Sequence, residues 1–279
     1  MAIATRDALL AAFGHRRSRL YINKGQLSNA ASGNANSYFR VGNTPAAGAI
    51  PGAAAVCANG LTGCIPFPNQ TAPATSYLAT GLITNNLTSH IEIHDRLMHM
   101  GGLSGTVTTA QTANLDLHAN IASSNLAARI GAADYSEVQW WLEWYSDTGA
   151  TGVNATVNVT YNDGTDGDLT VIAIAATSRA GRMYALNNLV PAAKAGLYIR
   201  DVNSVLLSAT TGTAGSFGVT ATRLRATLPQ QNGFSRSPAD WAELGFPQIH
   251  NNSCLFPIVY YTSGGTGPTW NATLDMVHG

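Results

Sequence analysis

The chain has 279 residues, of which 45% are hydrophobic and only 11% charged, and its formal net charge is zero. Ordinary globular proteins carry roughly 25% charged residues, and a neutral chain has no global field to draw it to nucleic acid or an anionic membrane. A surface this poor in charge suits a subunit that neighbours largely cover. The cations are thirteen Arg against Lys24 and Lys194. Contact surfaces favour Arg, whose planar fork makes paired hydrogen bonds; a genome rich in Arg codons accounts for the bias equally well. Cys57, Cys64 and Cys254 form an odd set without a disulfide framework. Free thiols are expected, with a Cys57–Cys64 bridge across a short loop as the alternative.

In chain order, Asp7 to Phe13 reads as a short helix stopped by Gly14. The basic cluster His15-Arg16-Arg17-Ser18-Arg19 follows, with Lys24 and Arg40 beyond it and Asp7 as the lone acid. Residues 1–40 therefore read as a basic N-terminal arm, and Arg16, Arg17 and Arg19 are candidates for docking on an acidic partner. The basic cluster comes after the apolar run, the reverse of a signal peptide, and no stretch reaches the ~20 apolar residues of a membrane span. A soluble protein is expected, in which Asn154-Ala-Thr and Asn271-Ala-Thr are chance matches to a glycosylation triplet.

Residues 41–89 contain no Asp, Glu, Lys or Arg, and they include Pro45, Pro51, Pro66, Pro68 and Pro73. The prolines exclude a long helix and disfavour a central strand. This segment is expected to be extended and irregular, lying on or crossing to a neighbouring subunit.

Residues 90–279 carry β patterning and are expected to form one domain. Val153, Ala155, Val157, Val159 and Tyr161 alternate with Asn and Thr, a period of two that marks a half-buried strand. Asn162 to Asp168 supplies turn chemistry, and Leu169 to Ala176 returns as a second strand. Further strands are predicted at 204–208, 217–224, 256–262 and 269–277, and a helix or long crossing loop at 109–127. Many short strands at regular spacing predict a mainly β fold, an antiparallel β-sandwich or jelly roll with an extended, irregular N-terminal arm.

Gln139-Trp140-Trp141-Leu142-Glu143-Trp144-Tyr145 holds three of the five tryptophans. On a strand, Trp140, Leu142 and Trp144 form an apolar row fit for a sandwich interior, while Trp141, Glu143 and Tyr145 share the opposite face. That second face is a candidate partner contact, and an alternative carbohydrate platform.

His90, Glu92 and His94 project from one face of a strand and present the ligand types of a Zn²⁺ or Fe²⁺ site, although Ile91 and Ile93 make the segment an ordinary strand with apolar alternation. Asp163 to Asp168 superficially suggests a calcium loop but lacks the closing bidentate Glu and fits a hairpin turn better. No nucleophile elbow, phosphate loop or dinucleotide fingerprint occurs. The chain is expected to be no enzyme and to have no catalytic residue, metal or cofactor.

The segments "HDRLMHMGGLSGTVTTAQT", "EVQWWLEWYSDTGATGVNATVNVTYND", "AGRMYALNNL", "VNSVLLSATTGTAGSFGVTATRL" and "GFPQIHNNSCLFPIVYY" resemble virion structural proteins of tailed bacteriophages, over about two thirds of the chain. The resemblance implies a virion location after assembly in the host cytoplasm, and a capsid decoration (cement) protein is the first expectation. Its partners would be the major capsid protein or other virion proteins, with self-association, a trimer first. A tail, neck or fibre component is the alternative.

Overall fold

The computed structural model describes residues 3–27, 32–212, 215–229, 236–262 and 269–279, and it is mainly β with antiparallel sheets. The N-terminal elements are α1 (Arg6–His15), β1 (Arg17–Lys24), β2 (Ala35–Ser37), β3 (Asn43–Thr44), β4 (Ala55–Val56), β5 (Ser76–Asn85) and β6 (Ser89–Ser104). The middle of the chain gives β7 (Gln111–Asp116), α2 (Leu126–Arg129), β8 (Gln139–Trp144), β9 (Val153–Tyr161), β10 (Asp166–Asp168), β11 (Ile172–Ile174) and β12 (Arg182–Ala185). The C-terminal strands are β13 (Ile199–Leu207), β14 (Ser216–Pro229), β15 (Arg236–Ala239), β16 (Gln248–Ile249), β17 (Leu255–Tyr261) and β18 (Trp270–His278).

Two compact units form from interleaved stretches, the first from Met1–Gly48, Ala58–Asp95 and Leu224–Gly279, the second from Ala49–Cys57 and Arg96–Arg223. This division cuts across the boundaries expected at residues 40 and 89.

In the first unit, one sheet runs β15-β5-β18-β1-β3, and β17 pairs with β2 and with the start of β6 to make a second layer. Apolar residues recur at every second position and meet between the layers. Ile22, Leu78, Ile83, Trp270 and Leu274 from the first sheet pack with Ile91, Ile93 and Val259 from the second. Cys64 and Cys254, 190 positions apart, are disulfide-bonded in this unit, and Cys57 of the second unit is buried outside any disulfide. This corrects the expectation of free thiols or a Cys57–Cys64 bridge. Spacing along the chain carries no information about a pair that folding brings together.

The N-terminal segment is no detached arm. Thr5 caps α1 by accepting a hydrogen bond from the Ala8 amide at 3.1 Å, and Leu9 and Ala12 pack on Ala79 and Val277. Strand β1 then pairs with β18 at every position from Arg17↔Val277 to Lys24↔Trp270. Its charges suggested a solvated tail, yet Leu20 and Ile22 alternate with outward Arg19 and Tyr21 as in any half-buried strand. Strand β5 likewise lies inside the uncharged segment expected to be irregular, whereas 45–54 and 57–64 do lack regular structure.

In the second unit, one sheet runs β10-β9-β13-β7 with β11 on β9, while β8 pairs with both β14 and β12. Trp140, Leu142 and Trp144 are fully buried against Val157, Val159 and Val205, the inward row expected from alternation. The β9–β10 hairpin turns at Gly164, where φ is +85°, and Asp163 Oδ1 accepts the Thr165 amide at 2.8 Å. The stretch 109–127, expected as a helix or long crossing loop, forms strand β7, turns and the first residues of α2. Backbones pass so closely at Gly218 that an added Cβ would lie 1.9 Å from the Met100 carbonyl oxygen.

Candidate interaction surface

Alternation along the first unit's sheet turns Arg17, Arg19, Tyr21 and Asn23 of β1 away from the core. Register places Arg19 beside Asp275, Tyr21 beside Thr273 and Asn23 beside Asn271, and the next strand adds Thr80, Leu82 and Thr84. Helix α1 covers this face only at its end, over Ala79 and Val277. Beyond that end its side chains are exposed or half-buried apart from Asp275, and Tyr21 is 67% exposed. Hydroxyls, amides and a few apolar groups dominate it, which makes it cheap to dehydrate against a partner compared with a charged face.

Two ion pairs to Asp275 anchor the face, a close one from Arg19 and a looser one from Arg17 at 4.0 Å. Arg19 donates from Nε and Nη2 to the two Asp275 oxygens at 2.8 and 3.0 Å, and Thr80 Oγ1 donates to Oδ2 at 3.0 Å. Burial alone pushes the Asp275 carboxyl up, but these hydrogen bonds and the charges of Arg19 and Arg17 outweigh it and hold it below the usual carboxylate range. A shallow depression of about 600 Å³ adjoins the pair, lined by Arg19, Leu82, Pro238, Asp240, Glu243 and Asp275. A second, of about 340 Å³, is lined in part by Tyr21, Thr84, Arg236, Asn271 and Thr273.

Arg16, Arg17 and Arg19 are thus all exposed and lie at one margin of this face. Composition could not reveal Asp275, Thr80, Leu82, Asp240 or Glu243 as their neighbours, because the pairings join residues far apart along the chain. The stretch Ser76-Tyr-Leu-Ala-Thr-Gly-Leu-Ile-Thr-Asn did hold a legible alternation, masked by its lack of charge.

The other candidates are interior. Trp141, Glu143 and Tyr145 are 4%, 1% and 2% exposed, so within this chain they are neither a platform for a sugar nor a surface for a partner. The residues that enclose them come from β6 and β14. Arg96 Nη2 donates to Glu143 Oε2 at 2.6 Å and to Thr220 Oγ1 at 3.1 Å, and Thr220 Oγ1 donates to Glu143 Oε2 at 2.6 Å. Trp141 Nε1 donates to Thr222 Oγ1 at 2.9 Å, and Tyr145 donates its hydroxyl to the Met100 carbonyl at 3.2 Å. Arg96 Nε donates to His99 Nδ1 at 2.9 Å, which requires that nitrogen to be unprotonated. Burial first, and the Arg96 charge second, push His99 down to about 3.

His90, Glu92 and His94 share one face, as alternation predicts. Glu92 lies between the rings, 3.2 Å from His90 Nε2 and 2.8 Å from His94 Nε2. The carboxylate thus occupies the ring nitrogens that would face an ion. Among the described residues, no three His, Cys, Asp or Glu are grouped so as to hold a metal.

No protein-family model and no curated protein sequence matches the chain. Among solved structures, T=1 particles derived from infectious bursal virus align over 94% of this chain and 78% of that one, at 10% identity and a TM-score of 0.18. The VP2 subviral particle of infectious bursal disease virus aligns over 94% and 81%, at 10% identity and a TM-score of 0.17. Similarity this slight carries no argument about the present chain.

Proposed function

We propose that the chain is a non-catalytic virion structural protein, and within that class a capsid decoration protein that ties major capsid subunits together. The observation that carries this reading is the exposed sheet face of the first unit, where Tyr21, Leu82 and Thr273 lie among hydroxyls and amides beside the Arg19–Asp275 pair, on a chain with 11% charged residues. Such a face gains from being covered, and a specific contact needs about 800 Å² from each partner. The resemblance of the segments from His94 onward to tailed-phage virion proteins supports the same class. Burial of Trp141, Glu143 and Tyr145 removes the exposed platform on which a carbohydrate-binding role would rest.

Immunolabelling of purified particles tests the reading. Antibody against the chain is expected to decorate the head at many sites, and particles stripped of the protein should lose heat resistance and regain it when the protein is added back. Labelling confined to the tail or its junction would replace decoration with a tail role, and absence from particles would overturn both.

A further inference from the structure

The face ends in a strand edge that, among the described residues, is paired only in part. Strand β1 is bonded to β18 along its full length, but on its other side β3 pairs only with Asn23 and Lys24. The His278 amide donates to the Arg16 carbonyl, and the Gly25 amide to the Gly42 carbonyl at 3.1 Å. In an antiparallel ladder these two bonds fix the alternation, so even-numbered residues of β1 face β18 and odd-numbered ones face outward. The N–H and C=O groups of Arg17, Arg19 and Tyr21 therefore point to the open side, where among the described residues no strand pairs with them.

The chain itself halts before filling that side. Pro45 follows the last paired residue of β3 and has no N–H to continue the ladder. Lys24 Nζ holds the turn back by donating to the Val41 and Pro45 carbonyls at 3.0 and 2.9 Å. The inner face is also incomplete here: Leu20 belongs to the core side yet is only half-buried. On the outer face stand Arg17 and Arg19, which share Asp275 at 4.0 and 2.8 Å, and the exposed Arg16 precedes the strand. The opposite edge of the same sheet is different, since β15 spans four residues and contains Pro238, the usual means of blocking strand addition.

We propose that the β1 edge is a docking seam for an extended acidic segment of another protein, which adds as a strand beside Arg17–Ile22. Its carboxylates would alternate to meet Arg17 and Arg19 on the outer face, with a further acid at its end beside Arg16, and its intervening apolar side chains would cover Leu20. A second copy of β1 would instead set Arg17 and Arg19 against like charges, which disfavours self-pairing. Strand addition of this kind draws affinity from main-chain bonds and specificity from alternate side chains. The inference goes beyond the virion reading and is tested apart from it, because the assay uses the isolated chain and no particle.

The probe is a capped octapeptide of alternating Glu and Val, with Lys–Val and Ser–Val peptides as controls. Amide exchange of the full chain, read by NMR, is expected to slow at Arg17, Arg19 and Tyr21 when the acidic peptide is added. The Lys–Val peptide should bind at least about tenfold more weakly, a difference of about 1.4 kcal/mol, and added salt should narrow the gap. Tyr21→Pro removes only an outward N–H, so it should keep the melting temperature and lose the peptide. Arg16→Glu with Arg17→Glu should reverse the preference toward Lys–Val, which keeps the test decisive if the proline variant misfolds. Protection of these amides in the free monomer, protection that grows with chain concentration alone, equal binding of all three peptides, or no binding at about 1 mM would each overturn the proposal.

Discussion

Arg96 is fully buried, and its guanidinium meets Glu143, Thr220 and His99. A buried pair contributes little over an apolar replacement, but breaking one side strands a charge. Glu143→Gln is therefore expected to cost about 3–5 kcal/mol in a denaturant series, whereas Arg19→Ala, which removes a solvent-exposed guanidinium from Asp275, should cost clearly less. Similar losses from the two changes would show that the interior pair is solvated. His99 supplies the pH dependence of the same cluster. Its folded value of about 3 lies below the ordinary histidine value of about 6.5, so between those limits only the unfolded chain takes up the proton. Stability should fall by about 1.4 kcal/mol for each pH unit below about 6.5 on account of this residue. His99→Asn keeps an acceptor for Arg96 Nε and cannot titrate, so its stability should fall less steeply with acid. Parallel pH profiles for wild type and variant would refute the assignment. Trp140→Ala should cost about 3–5 kcal/mol, and Trp141→Ala nearly as much, because both rings are enclosed even though they point to opposite faces.

At the level of elements, β1 decides whether the N-terminal residues are dispensable. It lies between β18 and β3, and its removal would bare Leu274, Met276 and Trp270 on the neighbouring strand. A chain lacking residues 1–24 should lose the cooperative unfolding of the first unit, seen as collapsed exchange protection along β18 and β5. Retention of that protection would restore the picture of a detachable arm. The meeting of β14 and β6 offers a sharper element-level test. Gly218→Ala would drive a methyl to 1.9 Å from the Met100 oxygen, with backbone rather than a flexible side chain in the way. Separation of the strands is expected, with a loss in the upper range for single substitutions, more than about 3 kcal/mol by thermal denaturation. An unchanged melting temperature would show the two backbones are farther apart.

For the molecule as a whole, the Cys64–Cys254 bridge closes a loop of 190 residues in sequence. Chain-entropy reasoning gives a bridge of that span about 5 kcal/mol, mainly by restricting the unfolded state. Cys64→Ser should lower the unfolding midpoint strongly in the absence of reductant and leave no further effect when reductant is added. Cys57, buried and outside the disulfide, should react with a thiol reagent only on unfolding. Two cores built from interleaved stretches also imply that no cut at residue 40 or 89 yields a self-sufficient piece, since each would remove strands from the first unit.

Alternation and local turn chemistry determined much of this protein: the mainly β class, the burial of Trp140, Leu142 and Trp144, the hairpin at Asp163, and the shared face of His90, Glu92 and His94. Each of these depends on neighbours in sequence, where a period of two says which side a residue points to. What covers a side was decided only by tertiary structure. Trp141, Glu143 and Tyr145 looked like a surface because their row mixes polar and aromatic groups, yet Arg96 and Thr220, 47 and 77 positions from Glu143, close over them. The basic residues before Lys24 looked like a tail because their charge outweighed the weak signal of Leu20 and Ile22, and β18, some 250 residues away, makes them a strand. Cys64 found Cys254 by the same route, for a strand's partners are chosen by packing of whole sheets and leave no trace in local spacing.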